Sequence, residues 1–552
     1  MPKISVRLED FCKLMGRKVS IKELEDRLPM MGTGWEGSTA EEFELEIFPN
    51  RPDLLSIEGL ARAYSSFNGE KTGLHNYSVK KEEYVAIVDP KVDEIRPYFV
   101  CAVAKGVDFD DSLIRSLIQL QEKLHMTHGR KRRKVAIGLH NLKPIQFPVT
   151  YTTKPPEFKF RPLGERFDKD LRWMLTEMQK GVEYAWILEG AIEYPMIVDA
   201  KNMVLSMPPI INGEYTRIDE VTTELFIDIT GTDLKAITEV LNIICTTLAD
   251  RGAEIYSVEV KYSRQVLITP DLSSKKWNLS NDYTCKTLGI QLKPNQTTKL
   301  LEKMGYSAKP GCDILVQVPC YRTDIMHPMD LVEDVAIAYG YDKVIPVVPK
   351  ITSTAGEDSL EVFSRGLRNF LVGFGFIEVV TFMMTNKDRL FTKMMLPEEP
   401  IAETENPKME GYTSLRNRLL PSLIEILSFN KHHPYPQNLY EVDDVIVLDS
   451  DSETGARSIR RLALVQCHSR ANFNEIKATF TSIIENMGVN VEIIPDGWDC
   501  FIEGRRFTAV VDGKTLCWAG EVHPEVLKAW DLEMPLAAIE FDVELLQKYA
   551  WS

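Results

Sequence analysis

At 552 residues, with 65 Lys and Arg against 81 Asp and Glu, the chain carries a formal net charge of -16. That balance excludes a protein that coats nucleic acid nonspecifically, because phosphate neutralisation needs clustered cations; 44% hydrophobic and 26% charged residues suit an ordinary globular protein of about three to five domains. The opening MPKISVRLEDFCK lacks the apolar run of a signal peptide, and the most apolar window, LVGFGFIEVVTFMM at 371–384, contains a Glu and is too short to span a bilayer. Nine cysteines without a C-x-x-C pair predict reduced thiols, a cytoplasmic address and no membrane partner. Cys312 and Cys320 flank an expected buried strand and read as core residues.

In chain order, residues 1–75 predict a small α+β unit: helices at about 8–15 and 21–28, the alternating strand EFELEIF, and a helix at about 56–67. Pro52 stands just before that last helix, where a missing amide donor costs nothing. SVKKEEYVAIVDPKVDEIRP reads as a charged connector. Strands YFVCAVAKGV, KVAIGL, YAWILEG, MVLSMPPII and ELFIDITG then alternate with helices SLIRSLIQLQEKLH and DLKAITEVLNIICTTLADRG, predicting a mixed α/β domain over 90–266. A third unit covers 268–346, before the Pro-rich linker IPVVPKITSTAGED. The remainder, 357–552, opens on the helix LEVFSRGLRNFLVGFG, passes through a strand FIEVVTFMMT and the acidic loop PEEPIAETENPKMEG, and closes in a run of strands. It reads as an antiparallel sheet with packed helices, so the fold class is α+β and mixed α/β, multidomain.

GTGWEG at 32–37 satisfies G-x-G-x-x-G, yet a helical segment precedes it and a strand follows, the reverse of what a dinucleotide site needs. DGKT at 512–515 lacks the upstream Gly of a phosphate loop and reads as a hairpin turn; His432 and His433 have no third ligand at metal spacing and read as a loop. Arg130, Lys131, Arg132, Arg133 and Lys134 run consecutively into the strand KVAIGL, either as a solvated loop or as a contact to a polyanion.

The stretch TDIMHPMDLVEDVAIAYGYDKV gathers Asp324, Asp330, Glu333 and Asp334 at the start of an apolar helix. Asp330 and Glu333 have the spacing of a capping box, and acids in a first turn suit the helix dipole. Neither effect accounts for Asp324 or for the adjacent pair, and converging carboxylates need a cation or a basic partner; oxygen ligands suit Mg2+ or Ca2+ rather than zinc. Both readings stay open on the residues alone. FPNRPDLLSIEGLARAY joins Asn50, Arg51 and Asp53 in one turn, and residues 405–445 set a charged strand-loop-strand beside the amphipathic LPSLIEILSF; each is a place for a ligand or a partner.

Taken together, NRPDLLSIEGLARA, YRTDIMHPMDLVEDVAIAYGYDKV and LRNRLLPSLIEILSFN, followed by FIEGRR, GEVHPEVL and AAIEFDVELL, resemble the β-subunit family of phenylalanyl-tRNA synthetases over essentially the whole chain and in one order. Ile337 and Ala338 stand where the long form of that family has Arg, so the chain is similar to the shorter archaeal and eukaryotic cytosolic form. The resemblance implies Mg2+ on Asp324, Asp330, Glu333 and Asp334, the last being Glu in most of the family. It also implies a C-terminal class II synthetase-like domain that is catalytically degenerate. Adenylate formation needs cations on the triphosphate; Arg416 suits one such position, and no G-x-G-x-x-R element supplies the second. The resemblance thus implies that an α subunit handles ATP and phenylalanine, within an α2β2 phenylalanine-tRNA ligase that charges tRNA(Phe).

Residues 98–266 resemble the family's editing domain, which hydrolyses tyrosine wrongly attached to that tRNA. A pocket that hydrogen-bonds a phenolic hydroxyl rejects phenylalanine, because buried polar groups would be left unpaired. The resemblance assigns Ser206, Asn212, Asp228 and Thr230 to that pocket and Glu214 to orienting water; from spacing alone, Asp228 and Thr230 equally suit one satisfied face of a strand. The basic run at 130–134 then offers a path for the acceptor end of tRNA. Two other readings compete. A stand-alone deacylase should have a C-terminal domain polar on every face, and a nonenzymatic nucleic-acid-binding assembly protein should show a basic stripe. The synthetase-subunit reading expects a large apolar surface on the C-terminal domain and no ATP-dependent activity from the chain alone.

Overall fold

The computed structural model describes residues 2–550 apart from Asp108, Asp110 and Cys312. Cys312, expected in the core, lies outside the described residues, while Cys320 is buried. Contacts divide the chain into two units, Met1–Val348 and Pro349–Ser552, and the division falls within the Pro-rich IPVVPKITSTAGED.

The first unit opens with a three-stranded sheet in which Glu42–Ile47 lies between Lys3–Arg7 and Thr33–Ser38. Alternation along EFELEI turns Phe43, Leu45 and Ile47 inward, against helices Leu8–Met15 and Ile57–Phe67. GTGWEG itself lies in or beside the strand Thr33–Ser38, with no helix after it. Ser56 caps helix Ile57–Phe67 by accepting from the Gly59 amide at 3.0 Å. Only glycine fits at position 59, because a Cβ there would sit 1.9 Å from the Asp53 carbonyl oxygen.

A ten-stranded sheet follows, in the order Ile211–Asn212, Val204–Met207, Tyr194–Val198, Val149–Lys154, Val79–Val88, Glu254–Lys261, Tyr98–Lys105, Glu224–Gly231, Val135–Asn141, with Val266–Thr269 also paired to Glu254–Lys261. Two sequence expectations fail here. Val79–Val88, read as a charged connector, is an interior strand parallel to both neighbours; its lysines and glutamates occupy the exposed first half, and Ala86 and Val88 are buried in the second. YAWILEG, read as a strand, lies in helix Gln179–Tyr184 and a 3-10 turn Ala185–Leu188, which bury Tyr184 and Leu188 at helical spacing. Helices Asp111–Met126 and Leu234–Asp250 cover one face of the sheet and share a single core with the N-terminal residues Phe11, Leu45 and Leu60. The opposite face buries Phe99, Tyr151 and Phe226. A small sheet of Lys275–Ser280, Asp313–Val318 and Ser307–Lys309 then packs with helices Pro294–Lys303 and Pro328–Tyr339.

The second unit is built on a seven-stranded sheet: Ile377–Glu378, Gln437–Leu448, Ala456–Cys467, Leu536–Asp542, Lys514–Val522, Phe501–Val511, Glu492–Ile494. All neighbours are antiparallel except the first pair. Tyr440, Leu464, Ile539 and Phe507 face helices Ser359–Gly373, Phe473–Met487 and Val543–Ala550. DGKT is the turn between Phe501–Val511 and Lys514–Val522, with Asp512 and Gly513 in the left-handed region. The expected strand FIEVVTFMMT survives only as Ile377–Glu378 and Met384–Thr385; between them Val380 and Phe382 are 82% and 76% exposed. Among the described residues no helix is long and apolar enough to cross a membrane.

Candidate active site

A cavity of about 220 Å³ opens beside the ten-stranded sheet, lined by Ser206, Asn212 and Asp228 together with Gln121, Glu122, His125, Arg132 and Gly138. Three of the five expected pocket residues therefore converge. Ser206 and Asn212 face each other across strands Val204–Met207 and Ile211–Asn212. Ser206 Oγ is buried without a hydrogen-bond partner, an arrangement that costs stability until a ligand supplies one. Asn212 Nδ2 donates to the Leu139 carbonyl at 3.3 Å. Asp228 Oδ2 lies 2.6 Å from His140 Nε2, and no hydrogen bond among the described residues takes its other oxygen.

The other two expected residues lie elsewhere. Thr230 sits fully buried two positions further along the strand, where its hydroxyl accepts from Arg96 Nε at 2.8 Å and its carbonyl from Arg96 Nη2 at 2.7 Å. Burial lowers the Arg96 guanidinium to about 10, so it stays charged at neutral pH. Glu214 turns away from the cavity. Its Oε2 accepts from the Gly164 amide at 2.9 Å and its Oε1 pairs with Arg217 at 3.3 Å, and the Gly164 amide holds its carboxyl below the usual range. It borders a separate hollow with Phe158 and Tyr215 and is not among the residues lining the cavity beside Ser206 and Asp228.

The basic run is divided in two. Arg130, Lys131 and Arg132 adopt φ of 48°, 54° and 64° in succession, a left-handed stretch that non-glycine residues rarely sustain. The tight turn sends Arg132 inward, where Nη1 donates to the Pro209 and Ile210 carbonyls at 3.2 and 3.0 Å and Nη2 to Glu122 at 3.1 Å. Arg132 thus ties the 208–210 wall of the cavity to helix Asp111–Met126 and is not a surface cation. Lys134 pairs with Asp233 at 3.1 Å; Arg130, Lys131 and Arg133 remain exposed. His125 lines the same cavity, its Nε2 accepting from the Ile137 amide at 2.9 Å, and burial lowers it to about 4.

Sequence reasoning missed His140 and Thr216. His140 Nδ1 lies 2.7 Å from Thr216 Oγ1, and both residues are buried. The available signal was the pair Gly138 and His140, two apart on the inward face of an otherwise apolar strand, beside the inward Asp228 of its neighbour.

The four acids expected on Mg2+ are arranged differently. Arg322 donates from Nε to Asp324 Oδ1 at 2.8 Å and from Nη2 to Asp324 Oδ2 and Asp334 Oδ2, both at 2.7 Å, and Asp334 also accepts from Tyr306 Oη. Burial pushes the Asp324 carboxyl up, and Arg322 more than offsets this. Asp330 forms the capping box, three residues earlier than the spacing suggested: His327 is the N-cap, and Asp330 Oδ2 accepts from the Met326 and His327 amides at 2.7 Å. Glu333 is raised by burial and by its three acidic neighbours, against the lowering field of Arg322. Among the described residues no group of three or more His, Cys, Asp and Glu is disposed to hold a metal. As arranged, these side chains do not fit Mg2+, because the positive charge they need is already supplied by Arg322. The upstream Arg51 pairs in the same i,i+2 fashion with Asp53, at 2.8 and 2.9 Å, which accounts for the NRPD turn without a ligand.

In the second unit Arg416 is fully buried and committed. Its Nη1 donates to Thr381 Oγ1 at 2.6 Å and Glu441 Oε1 at 2.9 Å, and its Nη2 to Asp443 Oδ2 at 2.7 Å. A guanidinium so neutralised is not free to take a triphosphate.

The chain matches the family model of the phenylalanyl tRNA synthetase beta chain CLM domain over residues 345–543 and that of the tRNA synthetase B5 domain over 277–341. It is 41% identical over 550 residues to the phenylalanine-tRNA ligase beta subunit of Archaeoglobus fulgidus, covering 98% of each chain. It is 39% identical over 547 residues to that of Pyrococcus abyssi, again covering 98% of each, and 38% identical over 556 residues to that of Pyrococcus horikoshii, covering 100% of each. A solved N-terminal fragment of the phenylalanyl-tRNA synthetase beta subunit from Pyrococcus horikoshii superposes with a TM-score of 0.60 at 39% identity, covering 61% of this chain and 99% of the fragment. With kinship of this extent along both units, the chain belongs to the phenylalanine-tRNA ligase beta-subunit family.

Proposed function

We propose that the chain acts as the β subunit of a cytoplasmic α2β2 phenylalanine-tRNA ligase, in which an α subunit uses ATP, with its Mg2+, to activate phenylalanine and charge tRNA(Phe). The observation that supports a partner is the apolar edge of the second unit. Val372, Ile377, Val380 and Phe382 are each more than 60% exposed within a dozen residues, and large exposed apolar side chains gathered over so short a stretch suit an interface. The stand-alone deacylase reading expects that surface to be polar. The commitment of Arg416 to Glu441 and Asp443 supports a degenerate class II-like domain that leaves adenylate chemistry to the partner.

In this reading the cavity of the first unit proofreads. A tyrosyl group on tRNA(Phe) enters so that its phenolic hydroxyl meets the unpaired Ser206 hydroxyl and the Asp228 carboxylate, with Asn212 beside Ser206 on the neighbouring strand. Phenylalanine leaves the same buried groups unpaired and is rejected. Hydrolysis then consumes one water and releases tyrosine and free tRNA. Arg130, Lys131 and Arg133 provide exposed cations for the acceptor end, a contact that weakens as salt rises.

The test is the native mass of the tagged chain purified from its own cells at moderate salt, with its companions identified and assayed. A stoichiometric second polypeptide in a two-plus-two assembly, with phenylalanine-dependent pyrophosphate exchange from the assembly and none from the chain alone, is the expected result. A monomer that hydrolyses tyrosyl-tRNA(Phe) unaided would overturn it in favour of the stand-alone deacylase.

A further inference from the structure

Strands Val135–Asn141 and Glu224–Gly231 pair antiparallel, with Gly138 directly opposite Asp228 and His140 opposite Phe226. His140 is therefore diagonal to Asp228 on one face of the sheet, and whether the two can touch depends on what stands at 138. A Cβ on Gly138 would lie 2.2 Å from Asp228 Oδ2 and 2.7 Å from His140 Nε2. Imidazole and carboxylate thus meet, 2.6 Å apart, in the space that a side chain at 138 would fill. On the far side of the ring, Nδ1 lies 2.7 Å from Thr216 Oγ1, and the ring itself is fully buried.

We propose that His140 is a positioning residue for aminoacyl-ester hydrolysis: held by Thr216, it fixes the Asp228 carboxylate in the orientation that receives the substrate's hydroxyl. The inference rests on the editing reading given above. A carboxylate only accepts, so Nε2 carries the proton and donates to Asp228; on a neutral ring Nδ1 then accepts from the Thr216 hydroxyl, which sets the tautomer. His140 lines neither of two adjoining hollows. Asp228 lines the polar one, while Thr216 lines a more apolar one of about 280 Å³ that shares Ile118, Gln121, Leu163 and Asn212 with it. The imidazole therefore acts through its two neighbours, and a charge-assisted bond to a buried carboxylate is strong enough to hold one rotamer.

The experiment compares wild type, His140→Leu, His140→Gln and Thr216→Val in the full chain with its companion subunit. It measures single-turnover release of amino acid from tyrosyl-tRNA(Phe) and phenylalanyl-tRNA(Phe), alongside thermal melts. The proposal expects His140→Leu to slow tyrosine release roughly 10- to 100-fold, the range for losing one charge-assisted contact, and to narrow the preference for tyrosine over phenylalanine. His140→Gln, whose amide can donate to Asp228 and accept from Thr216, should restore most of both. Thr216→Val should narrow the preference and, by leaving the buried Nδ1 without its partner, lower the melting temperature. A merely structural histidine would move the melt and leave the preference intact. If His140→Leu does not fold, the Gln and Val variants carry the comparison, and wild-type rate and preference in Thr216→Val would overturn the proposal. A wild-type enzyme unable to hydrolyse tyrosyl-tRNA(Phe) would overturn the editing reading instead. The positioning claim would then be decided by NMR of labelled His140 in the full chain: a proton on Nε2 that is lost from that nitrogen in Asp228→Ala supports it, and a proton on Nδ1 overturns it.

Discussion

Arg322 Nη2 donates to Asp334 Oδ2 at 2.7 Å, and the same guanidinium holds both oxygens of Asp324. The acidic start of helix Pro328–Tyr339 is thereby balanced from within the chain. Removing one partner of a buried pair leaves the other charge uncompensated, so Arg322→Met should destabilise the first unit by about 3–5 kcal/mol, measured by urea unfolding. In wild type, exchanging Mg2+ for EDTA should leave the melting temperature of the isolated chain unchanged; a rise with Mg2+ would contradict the Arg322-centred arrangement.

Ser206→Ala separates binding from folding. The Ser206 hydroxyl is buried and unsatisfied, so its removal should leave the melt unchanged or raise stability by about 1 kcal/mol. Discrimination of tyrosyl- from phenylalanyl-tRNA should nevertheless fall, roughly 10-fold or more, because a phenolic hydroxyl loses its partner. A variant less stable than wild type and equally selective would assign Ser206 to the core.

Glu214→Gln should leave the rate of tyrosyl-tRNA hydrolysis within about twofold of wild type, the behaviour of a surface substitution outside the site. The Gly164 amide and Arg217 account for its carboxylate. A large drop in rate without a change in binding would return Glu214 to the reaction.

His125 gives the first unit a pH dependence of definite sign. Burial lowers its folded value to about 4, below the ordinary value of about 6.5. The unfolded chain therefore binds the proton more readily, and stability present above pH ~6.5 is lost as pH falls towards 4. From that shift the loss is about 3 kcal/mol at most, and His125→Gln should flatten this part of the profile in melts recorded at pH 7.5 and 5.

Phe382→Asp and Val380→Asp should abolish or weaken assembly with the second polypeptide while leaving the melt of the lone chain within a few tenths of a kcal/mol of wild type, because both side chains are exposed. Size-exclusion chromatography with light scattering reads the difference. A change in the melt without loss of assembly would place the interface elsewhere.

How much was legible in the sequence followed from how local its cause was. Helices Leu8–Met15 and Leu234–Asp250 declare themselves by apolar spacing, and strand Glu42–Ile47 by strict alternation. Val79–Val88 was hidden because its role as an interior strand is set by partners 63 to 176 residues away, while its own first half is charged. The capping box was misplaced by three residues because Pro328 takes the first helical position and makes His327 the cap. At the site, Ser206, Asn212 and Asp228 were reached through family resemblance. Spacing alone could not separate Asp228, which lines the cavity, from Thr230 two residues on, which is tied to Arg96. Spacing alone also could not show that the Glu214 carboxylate is taken by the Gly164 amide and Arg217. Arg132 was misjudged because three consecutive left-handed residues leave no sequence mark when none of them is glycine.

The most direct test of the account is the rate at which the complete assembly releases amino acid from tyrosyl-tRNA(Phe) and from phenylalanyl-tRNA(Phe), in wild type and in Asp228→Ala. The account predicts that wild type hydrolyses the tyrosyl ester much faster than the phenylalanyl ester and that Asp228→Ala loses this difference while still charging tRNA with phenylalanine. Equal hydrolysis of the two esters by wild type, or full discrimination in Asp228→Ala, would contradict it.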